Sequence, residues 1–460
     1  MVKRGLFLLE SIRIDKFDIL ISNGTLFTMV EGEEPQKASV GISDGIIQAI
    51  LPSDTECSAK EIFNASGMFI TPGFVDSHVH DEYFEDTDTV QHSLIKQGVT
   101  TAIAGHCGLG PSIYKCLIER PNPWLNLGYM TGNCALREEA GHSDRYTEAT
   151  EKEKEKMCLL LDRSLAEGSM GLSLGLQYAP GASYDEVCRL VSVVAKHKER
   201  LITVHTRYAG KKAIDAVNEA IALSRDNNVR VQISHLASQT MHYTQQCIDL
   251  IEKARAEGVD VAFDCYPYDV FCAKAGSAVF DPDCFERWGK GPECLLAVSG
   301  RFAGERLTSD KFAIMREEEP SGLIAGYVLN QEEVEMCLLH PSCTVVSDGL
   351  YTGGTGVHPR LCGTFPRAFN FLKSKKIDWT KIIMKMTSMP SDIMRIPKGR
   401  ISIGSKADII VFDPDKYADN SSFEKPFERP SGMYLVVING KVAFCDGSVA
   451  KHPVGEFLLK

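Results

Sequence analysis

Phe74-Val75-Asp76-Ser77-His78-Val79-His80 is the stretch on which the reading of this chain turns. A short apolar run that ends in two histidines one residue apart is poorly explained by packing alone. In an extended strand alternate side chains leave the same face, so His78 and His80 can point together at one ion. Thr71-Pro72-Gly73 punctuates the entry to the strand, and an acidic run of Asp81, Glu82, Glu85, Asp86 and Asp88 follows it. Taken singly, a His-x-His pair is more often a surface or core feature than a metal site. Its weight depends on whether further ligands arrive at the ends of other strands.

Outward from that pair the chain alternates strand-like and helix-like segments, the signature of parallel βα units. Strand-like runs follow at 100–104, 127–131, 170–174, 201–204, 229–233, 259–263 and 343–347, which with the first make eight. Polar helical segments lie between them, for example 148–168 and 184–198. Eight such units close into an α/β fold of the TIM-like (β/α)8 barrel type, with its chemistry at the strands' C-terminal ends. Residues 269–340 break the alternation. A stretch that long is not an ordinary loop, and it is expected to cover the mouth of the barrel.

Both ends of the chain read differently. From Phe17 to Ile50 short β runs are separated by the hairpin turns Asn23-Gly24 and Asp44-Gly45. The far end answers with Ala407–Asp413, Tyr434–Ile438, the turn Asn439-Gly440, and Val442–Phe444. The expectation is one small β-sandwich domain built from residues 1–70 and 396–460, enclosing a barrel at 71–395.

Composition sets limits on function. The chain has 460 residues, enough for a barrel and a companion domain. Its net charge of −11 is made of scattered signs with no basic block, which argues against nucleic acid or an anionic membrane as the main partner. The apolar start Leu6–Leu9 is interrupted by Glu10 and Arg13, and no run approaches the roughly 18 apolar residues of a membrane span. Fifteen cysteines are then expected to be mostly buried thiols in a reduced, cytoplasmic protein that acts on a small molecule, with homo-oligomerisation left open.

The strand ends carry the candidate chemistry. The second strand ends at Gly105-His106-Cys107-Gly108, the fifth at His205, the sixth at His235 and the eighth at Asp348. Each alone has a plain explanation: a buried thiol, a core histidine, a turn aspartate. Together with His78 and His80 they would rarely gather on one rim by chance. Zinc held by Cys107, His205 and His235 would leave a position for water, whose pKa falls from ~15.7 toward ~7 on such an ion. Asp348 is suited to take that proton and hand it to a departing nitrogen. His78 and His80 could hold a second ion or polarise the scissile carbonyl. His106, facing the other way, is read as supporting a ligand or the fold.

These motifs resemble the amidohydrolase superfamily, in particular the N-acyl-D-amino-acid deacylase (D-aminoacylase) family, over nearly the whole chain. Gly105-His106-Cys107-Gly108 is similar to that family's Gly-Asn-Cys-Gly segment, whose cysteine is a metal ligand where many relatives use a carboxylated lysine on the fourth strand. The fourth strand here offers Leu172-Ser173-Leu174 and no lysine. Gly175–Gly181, Val204–Arg207, Ile233–His235, Asp264–Tyr268, Ser347–Gly349, His358–Arg360 and Gly363–Arg367 resemble family segments in the same order. The resemblance implies hydrolysis of an N-acyl-D-amino acid, one or two zinc ions at the residues named, Asp348 as acid and base, and Arg360 with Tyr266 at the substrate carboxylate. Two positions depart from the pattern. Ala237 stands where family members often carry a carboxylate-binding lysine, and His106 replaces the asparagine beside the cysteine. The competing expectations are a cyclic-amide hydrolase related to dihydroorotase or hydantoinase, and a non-catalytic scaffold.

Overall fold

The protein is described from a computed structural model covering residues 16–53, 55–82, 87–114, 117, 119, 121–354 and 356–460. The apolar start of the chain, and Glu85 and Asp86 of the acidic run, lie outside the described residues. Eight parallel strands form the barrel: Phe74–Asp76, Val99–Ala104, a third strand broken at Met130 into Asn126–Tyr129 and Thr131–Gly132, then Gly171–Gly175, Leu201–His205, Arg230–Ile233, Val261–Cys265 and Cys343–Val345. Each pairs in parallel with the next. Val99–Ala104 is buried at every residue, as a strand covered on both faces is, with Thr100 and Thr101 the polar members of an otherwise apolar run.

The ring is closed by its last strand. Asp348 N–H donates to His78 O at 2.9 Å, Leu350 bridges His80 in parallel, and Ser347 N–H donates to Asp76 Oδ1 at 3.1 Å. Closure therefore stitches Asp348 to the His-x-His strand, although 268 residues separate Asp348 from His80 in the chain. The helices begin where capping chemistry starts them. Thr150 and Glu153 form a reciprocal capping box for Glu151–Ala166, and Ser183 caps Tyr184–Val194.

The termini form one nine-stranded sheet in which Phe69–Pro72 pairs with both Phe17–Leu26 and Ile409–Phe412. The sheet curls until Ala407 N–H reaches Gly45 O and Ile47 N–H reaches Ser405 O, both at 2.9 Å. Ile21, Val40, Ile47, Ile70, Val411 and Leu435 pack in the core so enclosed. Residues 269–340 carry a small antiparallel sheet, Phe271–Lys274, Leu295–Ala297 and Leu323–Gly326, with its own aromatic core of Phe271, Phe280, Trp288 and Phe312. No helix among the described residues is long and apolar enough to cross a membrane, and every described cysteine is a free thiol.

Candidate active site

Three of the residues expected at the rim stand in left-handed backbone: Cys107 at φ 54°, His235 at φ 34° and Asp348 at φ 47°. For residues other than glycine this region costs roughly 1–2 kcal/mol each and persists only where the surroundings enforce it. At Cys107 the enforcement is visible. Gly108 N–H donates to Ser173 Oγ at 3.0 Å, so the serine on the fourth strand braces the cysteine loop. Gly175 lets that loop approach, since a Cβ there would sit 2.0 Å from Cys107 O. The turn aims the thiol inward.

His78, Cys107, His235 and Asp348 each present a ligand atom, all within 4.8 Å of one another. Cys107 Sγ lies 3.5 Å from both His78 Nε2 and His235 Nε2. His205 Nδ1 is 3.2 Å from His235 Nε2, and His80 Nε2 is 3.1 Å from Asp348 Oδ1. All six residues are nine-tenths or more buried. The outward ring nitrogens are engaged elsewhere: His78 Nδ1 with Asp264 Oδ2 at 3.4 Å, His80 Nδ1 with Glu82 Oε1 at 2.6 Å, His205 Nε2 with Gln177 Oε1 at 2.8 Å, and His235 Nδ1 with Ser238 Oγ at 3.0 Å. Ser238 spends its own proton on His235 O, so it accepts from the ring. Four imidazoles thus keep their protons at the back and turn their other nitrogens toward a thiol and a carboxylate, the donor set of a transition-metal site of the zinc type.

The charges are set by the same contacts. Burial opposes the Cys107 thiolate, but the His78 charge and the close polar contacts with His205 and His235 outweigh it and hold the thiol well below its ordinary range. Burial also works against protonated His78 and His80. Asp264 and Cys107 overcome it at His78, and Glu82 and Asp348 at His80, so both rings are pushed well above the usual histidine range. At His205 burial wins and the shift is downward. Asp348 is held well below the usual carboxylate range, because Arg360 and His78 outweigh its burial.

His106 is not among the residues whose ligand atoms converge, but it lies against one of them. Its ring stacks on His78 with centroids 4.1 Å apart and planes 17° from parallel, and neither nitrogen finds a hydrogen-bond partner among the described residues. Arg360 is buried at the start of the helix Arg360–Ser374, with Nη1 2.9 Å from Asp348 Oδ2 and its guanidinium carbon 4.9 Å from the centre of the Tyr266 ring. A cavity of about 370 Å³ opens here, lined by His80, Asp348, Arg360, Tyr178, Lys274 and Arg145 among others. Lys274 comes from the 269–340 sheet.

Four residues at the site were not foreseen in the sequence: Glu82, Gln177, Ser238 and Asp264. Asp264 stands at the C-terminal end of the seventh strand, next to Cys265, and the strand-end rule that picks out the other rim residues applies to it equally. It also accepts from the His235 N–H at 2.5 Å and from the Gln232 side chain.

With a closed parallel barrel, a rim of histidines and a thiol, and a carboxylate at the eighth strand, the chain belongs to the amidohydrolase family, whose model matches residues 69–443. Within that family it is similar to two curated proteins of Alcaligenes xylosoxydans xylosoxydans. N-acyl-D-glutamate deacylase is 28% identical, covering 95% of this chain and 96% of that protein; D-aminoacylase is 28% identical, covering 96% and 98%. The crystal structure of the N-acyl-D-glutamate deacylase from Bordetella bronchiseptica, complexed with zinc and a phosphonate mimic of the tetrahedral intermediate, superposes with a TM-score of 0.85 at 27% identity, covering 97% of this chain and all of that one.

Proposed function

We propose that this protein hydrolyses the amide bond of N-acyl-D-amino acids, giving a carboxylate and a D-amino acid. The observation that carries the reading is the convergence of Cys107, His78, His235 and Asp348, with Asp348 and Arg360 lining the adjoining cavity. Cys107, His205 and His235 would hold a zinc ion, with His78 and His80 as ligands at a second position. When bound there, zinc supplies Lewis acidity and a nucleophile at neutral pH.

The chain's own residues account for the rest. Asp348 lies where it can accept a proton at Oδ1 from the attacking water and return it to the leaving nitrogen, which departs as a neutral amine. Its other oxygen is ion-paired with Arg360, Nη1 to Oδ2 2.9 Å, which favours the ionised carboxylate before the transfer. Arg360, with the ring of Tyr266 against it, is the anchor for the substrate carboxylate, a role suited to a planar, always charged guanidinium. With Ala237 in place of a lysine, that anchoring falls to Arg360 and Tyr266. Residues 269–340 wall the cavity through Cys272, Ala273 and Lys274 and limit the entry of bulk water. The free thiols support a reducing, cytoplasmic setting.

The cyclic-amide reading has less support. D-hydantoinase has the same fold at 17% identity and a TM-score of 0.62, but Ser173, bonded to the cysteine loop, stands on the fourth strand where a lysine would be needed. The test is a panel of paired D and L N-acetyl amino acids, with dihydropyrimidines as the cyclic arm, run on protein of measured zinc content. Zinc-dependent release of D-amino acids is expected. Equal turnover of both hands, or turnover of the cyclic arm alone, would refute the assignment.

A further inference from the structure

The thiol side of the cradle depends on the orientation of one ring, His205, and that orientation is set by a residue to which no role has been given. Gln177 lies just past the fourth strand, 8% exposed, with Oε1 2.8 Å from His205 Nε2. An amide oxygen can only accept, so this contact requires the ring proton on Nε2 and leaves the lone pair on Nδ1. Nδ1 is the nitrogen that faces His235 Nε2 at 3.2 Å, inside the cradle. Two further contacts fix the arrangement. Leu176 N–H donates to His205 O at 3.1 Å, tying the turn that carries Gln177 to the strand end that carries the ligand. The neighbouring Tyr178 packs its ring 4.6 Å from the imidazole centroid.

Without that oxygen the buried ring could carry its proton on Nδ1. The cradle would then present an N–H where an ion needs an electron pair. We infer that Gln177 is a positioning residue that commits His205 to the tautomer with its lone pair on Nδ1, and so sets the zinc affinity of the Cys107–His205–His235 group. This rests on the metal site of the functional reading and not on its substrate.

The test is made on full-length protein stripped of metal, titrated with zinc against a chromogenic chelator and, separately, with cobalt(II) followed by its thiolate charge-transfer and d–d absorption. Gln177→Met, close in volume with no acceptor oxygen, is expected to weaken zinc binding by about 10–100-fold and to change the cobalt spectrum. Gln177→Glu, which can only accept, should bind zinc at least as tightly as the parent and keep its spectrum. Parent-like affinity in Gln177→Met would overturn the role. So would equal weakening in Gln177→Glu, which would mean the side chain acts by packing; the Glu variant also decides the matter if the Met variant does not fold. A parent protein that shows no thiolate-to-cobalt band would overturn the metal reading and this role with it, whereas an altered substrate spectrum would touch only the deacylase assignment.

Discussion

Two pairs of imidazoles meet around Cys107 and Asp348, and they are held in different ways. His78 and His80 lean on the carboxylates of Asp264 and Glu82, while His205 and His235 lean on the neutral oxygens of Gln177 and Ser238. A carboxylate behind an imidazole stabilises its protonated form; a neutral oxygen only orients the ring. The first pair therefore keeps its protons and closes into a set of ion pairs with Asp348. The second pair stays neutral at His205 and faces a thiol that favours its anion. A cation entering the first half must displace protons, whereas the second half already offers lone pairs and a negative sulfur. The Cys107 side should fill first.

Asp348 separates catalysis from that order of filling, and its removal should have the largest effect. Asp348→Ala is expected to cut kcat by about 10²–10⁴-fold while zinc at Cys107, His205 and His235 is retained. Metal analysis alongside kcat checks both halves of the statement, and a variant that keeps its turnover would remove Asp348 from the proton path. Cys107 tests the boundary itself, since its sulfur is 3.5 Å from a histidine of each half. Cys107→Ser should weaken zinc by more than about 100-fold, a larger loss than removing a supporting hydrogen bond causes. Unchanged zinc content on dialysis would take the thiol out of the site.

How much of this was legible in the sequence follows the same division. Rim residues at strand ends are legible because apolar runs mark where each strand stops, and His78, His80, Cys107, His205, His235 and Asp348 are all picked out in that way. The residues behind the rings are not. Gln177 sits on a turn and Ser238 in the short helix Leu236–Thr240 that follows the left-handed His235, so the direction of each side chain depends on backbone angles that no local pattern encodes. Glu82 was in view as part of an acidic run, but which acid in a run meets a ring is a matter of tertiary contact. The left-handed backbone at Cys107 is foreshadowed by its glycine neighbours; at His235 nothing in the flanking Ser234 and Leu236 announces it. The break of the third strand at Met130 was likewise hidden inside a continuous apolar run.

Asp76 extends the comparison to stability, because the carboxylate-rich half holds one acid more than its rings use. Its Oδ1 accepts from Ser347 N–H at 3.1 Å and His78 N–H at 3.3 Å, while Oδ2 meets no donor among the described residues. Burial pushes this carboxyl up from 3.8 to about 6, against those hydrogen bonds. The folded state then binds the proton more tightly than the unfolded state, so Asp76 lowers stability as pH rises from about 4 through about 6, and the loss is constant above. Asp76→Asn keeps an acceptor for the two N–H groups and has no charge to bury. Denaturant unfolding over a pH series should show the variant gaining on the parent between those values by about 3 kcal/mol. A constant difference would mean that the charge is neutralised in the fold.

Glu82 gives the smallest effect and the sharpest test of independence. One oxygen holds His80 Nδ1 at 2.6 Å; the other accepts from Gly105 N–H at 3.3 Å, two residues before the cysteine. Glu82→Gln preserves the shape and removes the charge, so His80 should lose its carboxylate support while the Cys107 loop keeps its brace at Ser173. In a two-step zinc titration the weaker step is expected to weaken further, by about tenfold, with the tighter step unmoved. If both steps weaken together, the strut from Glu82 to Gly105 couples the two halves and they cannot be treated as separate sites. If neither moves, charge behind the ring is not what distinguishes them, and the difference must lie in the thiolate alone.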